Sequence, residues 1–302
     1  MELGLITFAD MQSQSVPGQG VNAQQRVKNL MEEIQLADQL GLDVFGVGEH
    51  HRPDYAVSSP AVILGAAAAV TKNIKLTSAV TVLSSDDPVR VFQNFATVDL
   101  LSGGRSEIMA GRGSFIESFP LFGYDLEDYD ELFTEKLDLL LKLNKSEKLS
   151  WKGKHRASFD DLGIYPRPYQ PSLPIWLAAG GTPASAVRAA TLGLPLMLAI
   201  IGGRPEQFVP FVNLYRETAK KAGRDLSQLQ LGVNNHLYVG EDSQRAANEF
   251  YPYYAVMMNR IGRERGWSPL SREQYEYLRS AKGALMVGSV QEIIDKILYE
   301  HE

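Results

Sequence analysis

Three short clusters in the chain combine residue types that can do chemistry. Glu49-His50-His51 sets two imidazoles beside a carboxylate. An imidazole titrates near neutral pH and can serve as acid, base or hydrogen-bond partner. Neighbours at a strand tip point to opposite sides, so one of the two can face a ligand while the other, with Glu49, orients it. The same alternation makes them a poor chelating pair. No His-x-His, cysteine or spaced carboxylate set supplies further ligands, so no metal is expected. Gly111-Arg112-Gly113 sets a guanidinium, able to grip an anion bidentately, between two residues that permit close approach; a solvated surface charge is the plainer alternative.

Gly180-Gly181-Thr182-Pro183-Ala184-Ser185 is the third cluster. Glycines let backbone approach a ligand, a helix N-terminus offers free N–H groups and a positive dipole end, and Thr182 and Ser185 add hydroxyls. That is phosphate-holding chemistry, although a tight turn capped by Thr182 explains the residues equally well. Ser78-Ala79-Val80-Thr81 is notable for small side chains, which let a planar ring lie against the backbone or simply pack a strand well. His236 reads as a core or lining histidine, and His155 and His301 receive no role.

Each cluster needs an element to hold it. Val44–Gly48, Ser106–Ala110 and Pro174–Ala179 are short apolar runs that end at these clusters and hand over to amphipathic helices. Strands alternating with helices build a parallel sheet, and ligands bind beyond the carboxyl ends of its strands. Leu3–Phe8 reads as the first strand, followed by a polar loop over Met11–Gly20. A helix follows in which Val27, Leu30, Met31, Ile34 and Ala37 recur at three- and four-residue steps and Gly41 stops it. Asp43–Gly48 is the second strand, Ser59–Thr71 a helix and Ile74–Leu83 a third strand. Asp87-Pro88 supplies an N-cap and an N1 proline for a helix to Leu101.

Asp128–Leu143 is helical, and a long Pro-rich connection fills Asn144–Pro174. Leu196–Ile200 and Leu229–Val239 are further strands; Ala284–Val287 is the candidate eighth, and Ser289–Leu298 a closing helix. Tyr251, Tyr253, Tyr254, Trp267 and Tyr275 either line an apolar pocket or decorate helix faces. At 302 residues the economical reading is α/β: one (β/α)8 TIM barrel spanning 1–302 as a single domain with insertions.

Composition narrows the function. With 44% hydrophobic and 22% charged residues the chain has ample core. A net charge of -6 with no Lys/Arg block argues against a nucleic-acid footprint. Zero cysteines exclude disulfides, thiolate metal sites and a cysteine nucleophile. Ala56–Thr71, the longest nearly uncharged stretch, falls short of the ~18 apolar residues of a membrane span. Met1-Glu2-Leu3-Gly4 does not resemble a secretory signal, so a cytoplasmic protein is expected.

Taken in order, Glu49-His50-His51, Ala79-Val80 with Asp87-Pro88-Val89-Arg90, Leu101-Ser102-Gly103-Gly104-Arg105, Gly111-Arg112-Gly113 and Pro174-Ile175-Trp176 leading to Gly180-Gly181 resemble the bacterial-luciferase-like flavin-dependent monooxygenases. The likeness runs from Leu3 to about Val239. It implies a TIM barrel carrying reduced flavin mononucleotide (FMN), delivered by a separate flavin reductase, and using dioxygen on a small organic substrate. Carried over by position, it assigns Arg112, Gly180, Gly181, Thr182 and Ser185 to the flavin phosphate. Ala79 and Val80, with a non-prolyl cis peptide, fall to the flavin ring, and His50 to the catalytic histidine.

The resemblance also implies a homodimer or larger assembly. Relatives that use the deazaflavin F420 for hydride transfer, and a non-catalytic flavin-binding subunit, are the alternatives; a metal-dependent barrel hydrolase is a more distant one. This chain departs from luciferase proper at Gly111, where luciferase has a cysteine. It also departs at its end, where either Ala284–Val287 closes the barrel or the barrel is incomplete.

Overall fold

In the computed structural model residues 1–11, 21–113 and 115–302 are described, so the expected polar loop lies, beyond Met11, outside them. The chain forms two compact units, one reaching Ala178 and the other running Ala179–Glu302.

The first unit contains β1 (Gly4–Thr7), α1 (Ala23–Gln39), β2 (Val44–Val47), α2 (Pro60–Val70), β3 (Lys75–Ser78), β4 (Thr81–Val82), α3 (Pro88–Ser102), β5 (Ser106–Gly111), α4 (Ser118–Phe122), α5 (Tyr129–Lys145), β6 (Lys148–Trp151), β7 (Phe159–Gly163) and β8 (Ile175–Ala179), which ends at the unit boundary. The α1 stripe and the Asp87-Pro88 start of α3 act as read, and the structure adds a cap at Asn22. Asn22 caps α1 by accepting from Gln25 N, and Leu30, Ile34 and Ala37 are its buried stripe. Asp87 accepts from Val89 N and Arg90 N at the start of α3, and Gly103, with φ 68°, ends it in the left-handed region that glycine tolerates.

β1, β2, β3, β5 and β8 pair in that order, all parallel. The register pairs Thr7 with Val47 and Val47 with Ser78, so β1, β2 and β3 end level and residues 8, 48–50 and 79–80 leave the sheet along one edge.

The expected third strand is interrupted. β3 and β4 are separated by a cis peptide between Ala79 and Val80, as the resemblance implied. The Ser78 side chain spans the interruption: its Oγ donates to Met109 O and accepts from Met109 N, and it also accepts from Thr81 Oγ1 at 2.9 Å. β4 then resumes pairing with β5, Val82 against Gly111.

The opposite ends of the strands are tied by buried polar groups. Arg105 donates to Ser102 O, Ile74 O, Ala68 O and Thr71 O, joining α2, β3 and α3. Fully buried Asp99 accepts from Ser106 N and from Gln170 N and Nε2. These charged groups are spent on backbone contacts, which leaves the carboxyl edge for chemistry. The connection before β8, read as a Pro-rich loop, contains the antiparallel β6–β7 hairpin as well as a cis Tyr165–Pro166 bond.

The second unit contains α6 (Pro183–Leu192), β9 (Leu196–Ala199), α7 (Val209–Lys221), β10 (Leu231–Asn234), β11 (Leu237–Gly240), α8 (Ser243–Arg265), α9 (Arg272–Arg279), β12 (Met286–Ser289) and α10 (Val290–His301). The expected seventh strand divides into β10 and β11 around Asn235-His236. The candidate eighth strand exists as β12, displaced toward the C-terminus, and pairs in parallel with β11. Tyr254 and Tyr275 neither line a pocket nor decorate a surface. They are the buried centre of a cluster with Ala247, Leu285 and Val287, against which Tyr251 packs, whereas Trp267 is 44% exposed. In chain order the strand-then-helix steps are those of an α/β fold of (β/α)8 TIM-barrel type.

Candidate functional site

His50 leaves the end of β2 with its backbone N–H bonded to Val57 O. Its ring sits 4.8 Å from Phe8, 4.2 Å from Tyr55 and 5.2 Å from Phe115 by centroids. Burial in this aromatic box, with the charges of His51 and Arg52 adding to it, pulls its pKa down to about 4. The imidazole is therefore neutral at pH 7, and among the described residues its buried Nε2 has no hydrogen-bond partner. A buried, unpartnered ring nitrogen costs roughly 1–3 kcal/mol of lost hydration, which a reacting ligand can offset.

The two histidines diverge, as strand alternation requires, but the carboxylate serves the other one. Glu49, 7% exposed, receives Val82 N on one oxygen and faces His51 Nε2 at 2.9 Å on the other. Glu49 and His51 thus tie the end of β2 to β4, and His51 stacks edgewise on Phe122. His50 is oriented by aromatic rings, not by Glu49.

Two further charged groups, Asp86 and buried Lys136, influence each other and were not found by sequence reasoning. Burial, and then the charge of Glu49, push Asp86 up to about 6. Burial pulls Lys136 down to about 8; its Nζ donates to Ser84 O at 2.7 Å and rests 3.7 Å above the Tyr124 ring.

Ala79 and Val80 lie at the same strand edge as His50, Ala79 buried among the core residues. Gly111 is there for space: a Cβ would stand 2.6 Å from Val80 Cγ2. Arg112 follows with an ion pair of 2.6 Å to Asp130 at the start of α5 and its guanidinium 5.2 Å from the Tyr129 ring centroid. Asp130 is 70% exposed, and such pairs contribute little, so an incoming anion can replace it.

In the second unit the predicted phosphate loop opens α6. Gly181 has φ +101°, Thr182 is the N-cap but makes no side-chain capping bond, Pro183 follows, and Ser185 is buried with its N–H on Thr182 O. A Cβ on Gly180 would meet nothing within 4 Å, and one on Gly181 only Phe208 at 3.4 Å. The backbone is open to a ligand where the helix dipole is positive. His236, as read, packs edgewise on Tyr254. A groove of about 500 Å³ along Ser150–Lys152 and Ser158–Asp160 belongs to the β6–β7 hairpin and includes none of these residues. Among the described residues no helix is long and apolar enough to cross a membrane.

The luciferase-like monooxygenase family matches residues 1–302. The chain is similar to the oxygenase component of flavin-dependent trigonelline monooxygenase from Acinetobacter baylyi, at 26% identity over 92% of this chain and 82% of that protein. It is also similar to an F420-dependent glucose-6-phosphate dehydrogenase from Amycolatopsis mediterranei, at 28% identity over 84% and 74% of the two chains. Among solved structures, monooxygenase RslO1 from Streptomyces bottropensis superposes with a TM-score of 0.83 at 26% identity, covering 99% of this chain and 89% of that one.

Proposed function

The protein belongs to the luciferase-like monooxygenases, and from that premise we propose that it binds reduced FMN from a separate reductase and oxygenates a small organic substrate. The observation that carries this reading is His50: a neutral imidazole with an unpartnered nitrogen, boxed by Phe8, Tyr55 and Phe115 at the carboxyl edge of the strands.

The residues present fit the cofactor. Small Ala79 and Gly111 beside Val80 suit a planar ring, and the open backbone of Gly180 and Gly181 with the hydroxyls of Thr182 and Ser185 suits its phosphate, as does Arg112. Reduced flavin, when bound, supplies the electrons that activate dioxygen. The protein's part is to bind the phosphate, exclude water with the aromatic box, and hold or move a proton at His50 Nε2. The relative whose name reads "oxygenase component" supports a separate reductase.

The proposal extends to a single domain over residues 1–302, a homodimer and a cytoplasmic location. The Amycolatopsis relative favours F420 as a second reading, since both cofactors present an anionic tail to the same loop. The test of the oxygenase reading is His50→Ala: flavin affinity stays and oxygen consumption with substrate falls at least ~100-fold, the scale of general acid–base catalysis. Loss of binding with unchanged turnover per bound flavin reassigns His50 to structure.

A further inference from the structure

Asp128, Glu131 and His155, none of them given a role above, each offer one ligand atom within 4.8 Å of the others. Asp128 is the N-cap of α5 and Glu131 stands three positions on, in its first turn. His155 arrives from the β6–β7 connection, which is pinned to α5: the Glu135 carboxylate accepts from the backbone N–H of Lys154 at 2.7 Å, His155 at 3.1 Å and Arg156 at 2.9 Å. Burial raises the Glu135 pKa, and these backbone bonds outweigh it, holding the carboxyl below its ordinary value. The imidazole is thus placed in advance, and its side chain is only 10% exposed.

Among the described residues His155 Nε2 is buried without an aligned hydrogen bond, and Glu131 Oε2 faces it at 3.3 Å as an ion-pair partner. The pair is close but misaligned for an N–H donor. Two ligands at ~2.1 Å from one tetrahedral ion are ~3.4 Å apart, which is the separation seen. Asp128 Oδ2 stands 3.9 Å from Nδ1, and one ligand atom from each of the three residues lies within 4.8 Å of the others. Lys154 Nζ now occupies Glu131 Oε2 at 2.7 Å, but both side chains are more than half exposed, so that pair is weak and a divalent ion can displace it.

We propose that Asp128, Glu131 and His155 bind a divalent transition-metal ion, with zinc best suited to one imidazole and two carboxylates, and that the ion fastens the β6–β7 hairpin to α5. The inference is independent of the oxygenase reading.

The test is calorimetric titration of the full-length protein with Zn²⁺ alone, paired with thermal unfolding. Wild type is expected to take up one equivalent and unfold at higher temperature. His155→Ala should bind at least tenfold more weakly and lose the thermal gain, and Lys154→Ala should bind more tightly. Should His155→Ala fold poorly, Glu131→Gln, at an exposed position, is expected to show the same loss. Absence of Zn²⁺ binding by wild type at millimolar concentration overturns the proposal, and so does unchanged affinity in the His155→Ala and Glu131→Gln variants.

Discussion

Replacing Gly111 by alanine should destabilise the protein through one contact. Gly111 closes β5 and is not among the glycines with positive φ, so the backbone itself accepts an L-residue. The added Cβ would stand 2.6 Å from Val80 Cγ2, 3.0 Å from its Cβ and 3.1 Å from its Cγ1. All three lie inside the ~3.5–4.0 Å of a comfortable carbon contact. Rotating Val80 exchanges one methyl for the other and leaves its Cβ in place, so relief requires backbone movement. Overpacking of this kind costs about 1–3 kcal/mol, offset by about 0.4–1 kcal/mol from the stiffer unfolded chain; a net loss of roughly 1–2 kcal/mol follows.

Val80→Ala removes the two methyls that clash. In urea denaturation at constant m-value, the double variant Gly111→Ala/Val80→Ala should therefore be less destabilised than the sum of the single variants by about 1 kcal/mol or more. Additive losses, or a Gly111→Ala protein as stable as wild type, would refute the reasoning. A cysteine at this position would meet the same contact, because its Cβ occupies the same place.

Other outcomes follow from the site. Arg112→Ala should weaken reduced-FMN binding by ~1.5–3 kcal/mol, the scale of a charged hydrogen bond, and Asp130→Asn should strengthen it by removing the competing carboxylate; equal affinities in equilibrium titrations contradict both. His50 titrates at 6.5 in the unfolded chain and about 4 when folded, so the unfolded state gains its proton first as pH falls. The stability His50 lends above pH 6.5 is lost toward pH 4, by about 3 kcal/mol. Asp86, raised to about 6, acts with the opposite sign, losing stability as pH rises from 3.8 through 6. The two offset in wild type, so His50→Phe should gain on wild type in urea midpoint between pH 7 and pH 4.5; a constant gap contradicts this. Lys136→Met leaves Ser84 O without its 2.7 Å donor and should cost about 1–3 kcal/mol in the same assay.

The strands, helices and caps that position the site were legible because they follow local rules: a buried stripe on α1, Asp87-Pro88 opening α3, apolar runs ending in glycine clusters. The breaks were not. Ile74–Leu83 is mostly β-branched or small, and what divides it is tertiary, a Ser78 hydroxyl standing in for backbone against Met109. The β6–β7 hairpin is polar and largely exposed, so alternation carried little signal there.

At the site, His50 and Arg112 stood out by type and place. The Glu49 contact with Val82 N spans 33 positions, and the Lys136 link to Ser84 spans 52; both exist only once β2, β4 and α5 pack. The aromatic box had no sequence signal, since Phe8, Tyr55 and Phe115 are scattered singly. Asp128, Glu131 and His155 had only a carboxylate pair three apart at a helix start, a common surface pattern.

The most direct measurement is an anaerobic titration of the purified protein with reduced FMN and, in parallel, with reduced F420. The account predicts saturable binding of reduced FMN, weakened in Arg112→Ala and kept in His50→Ala. Binding of F420 with none of reduced FMN, or of neither, contradicts it.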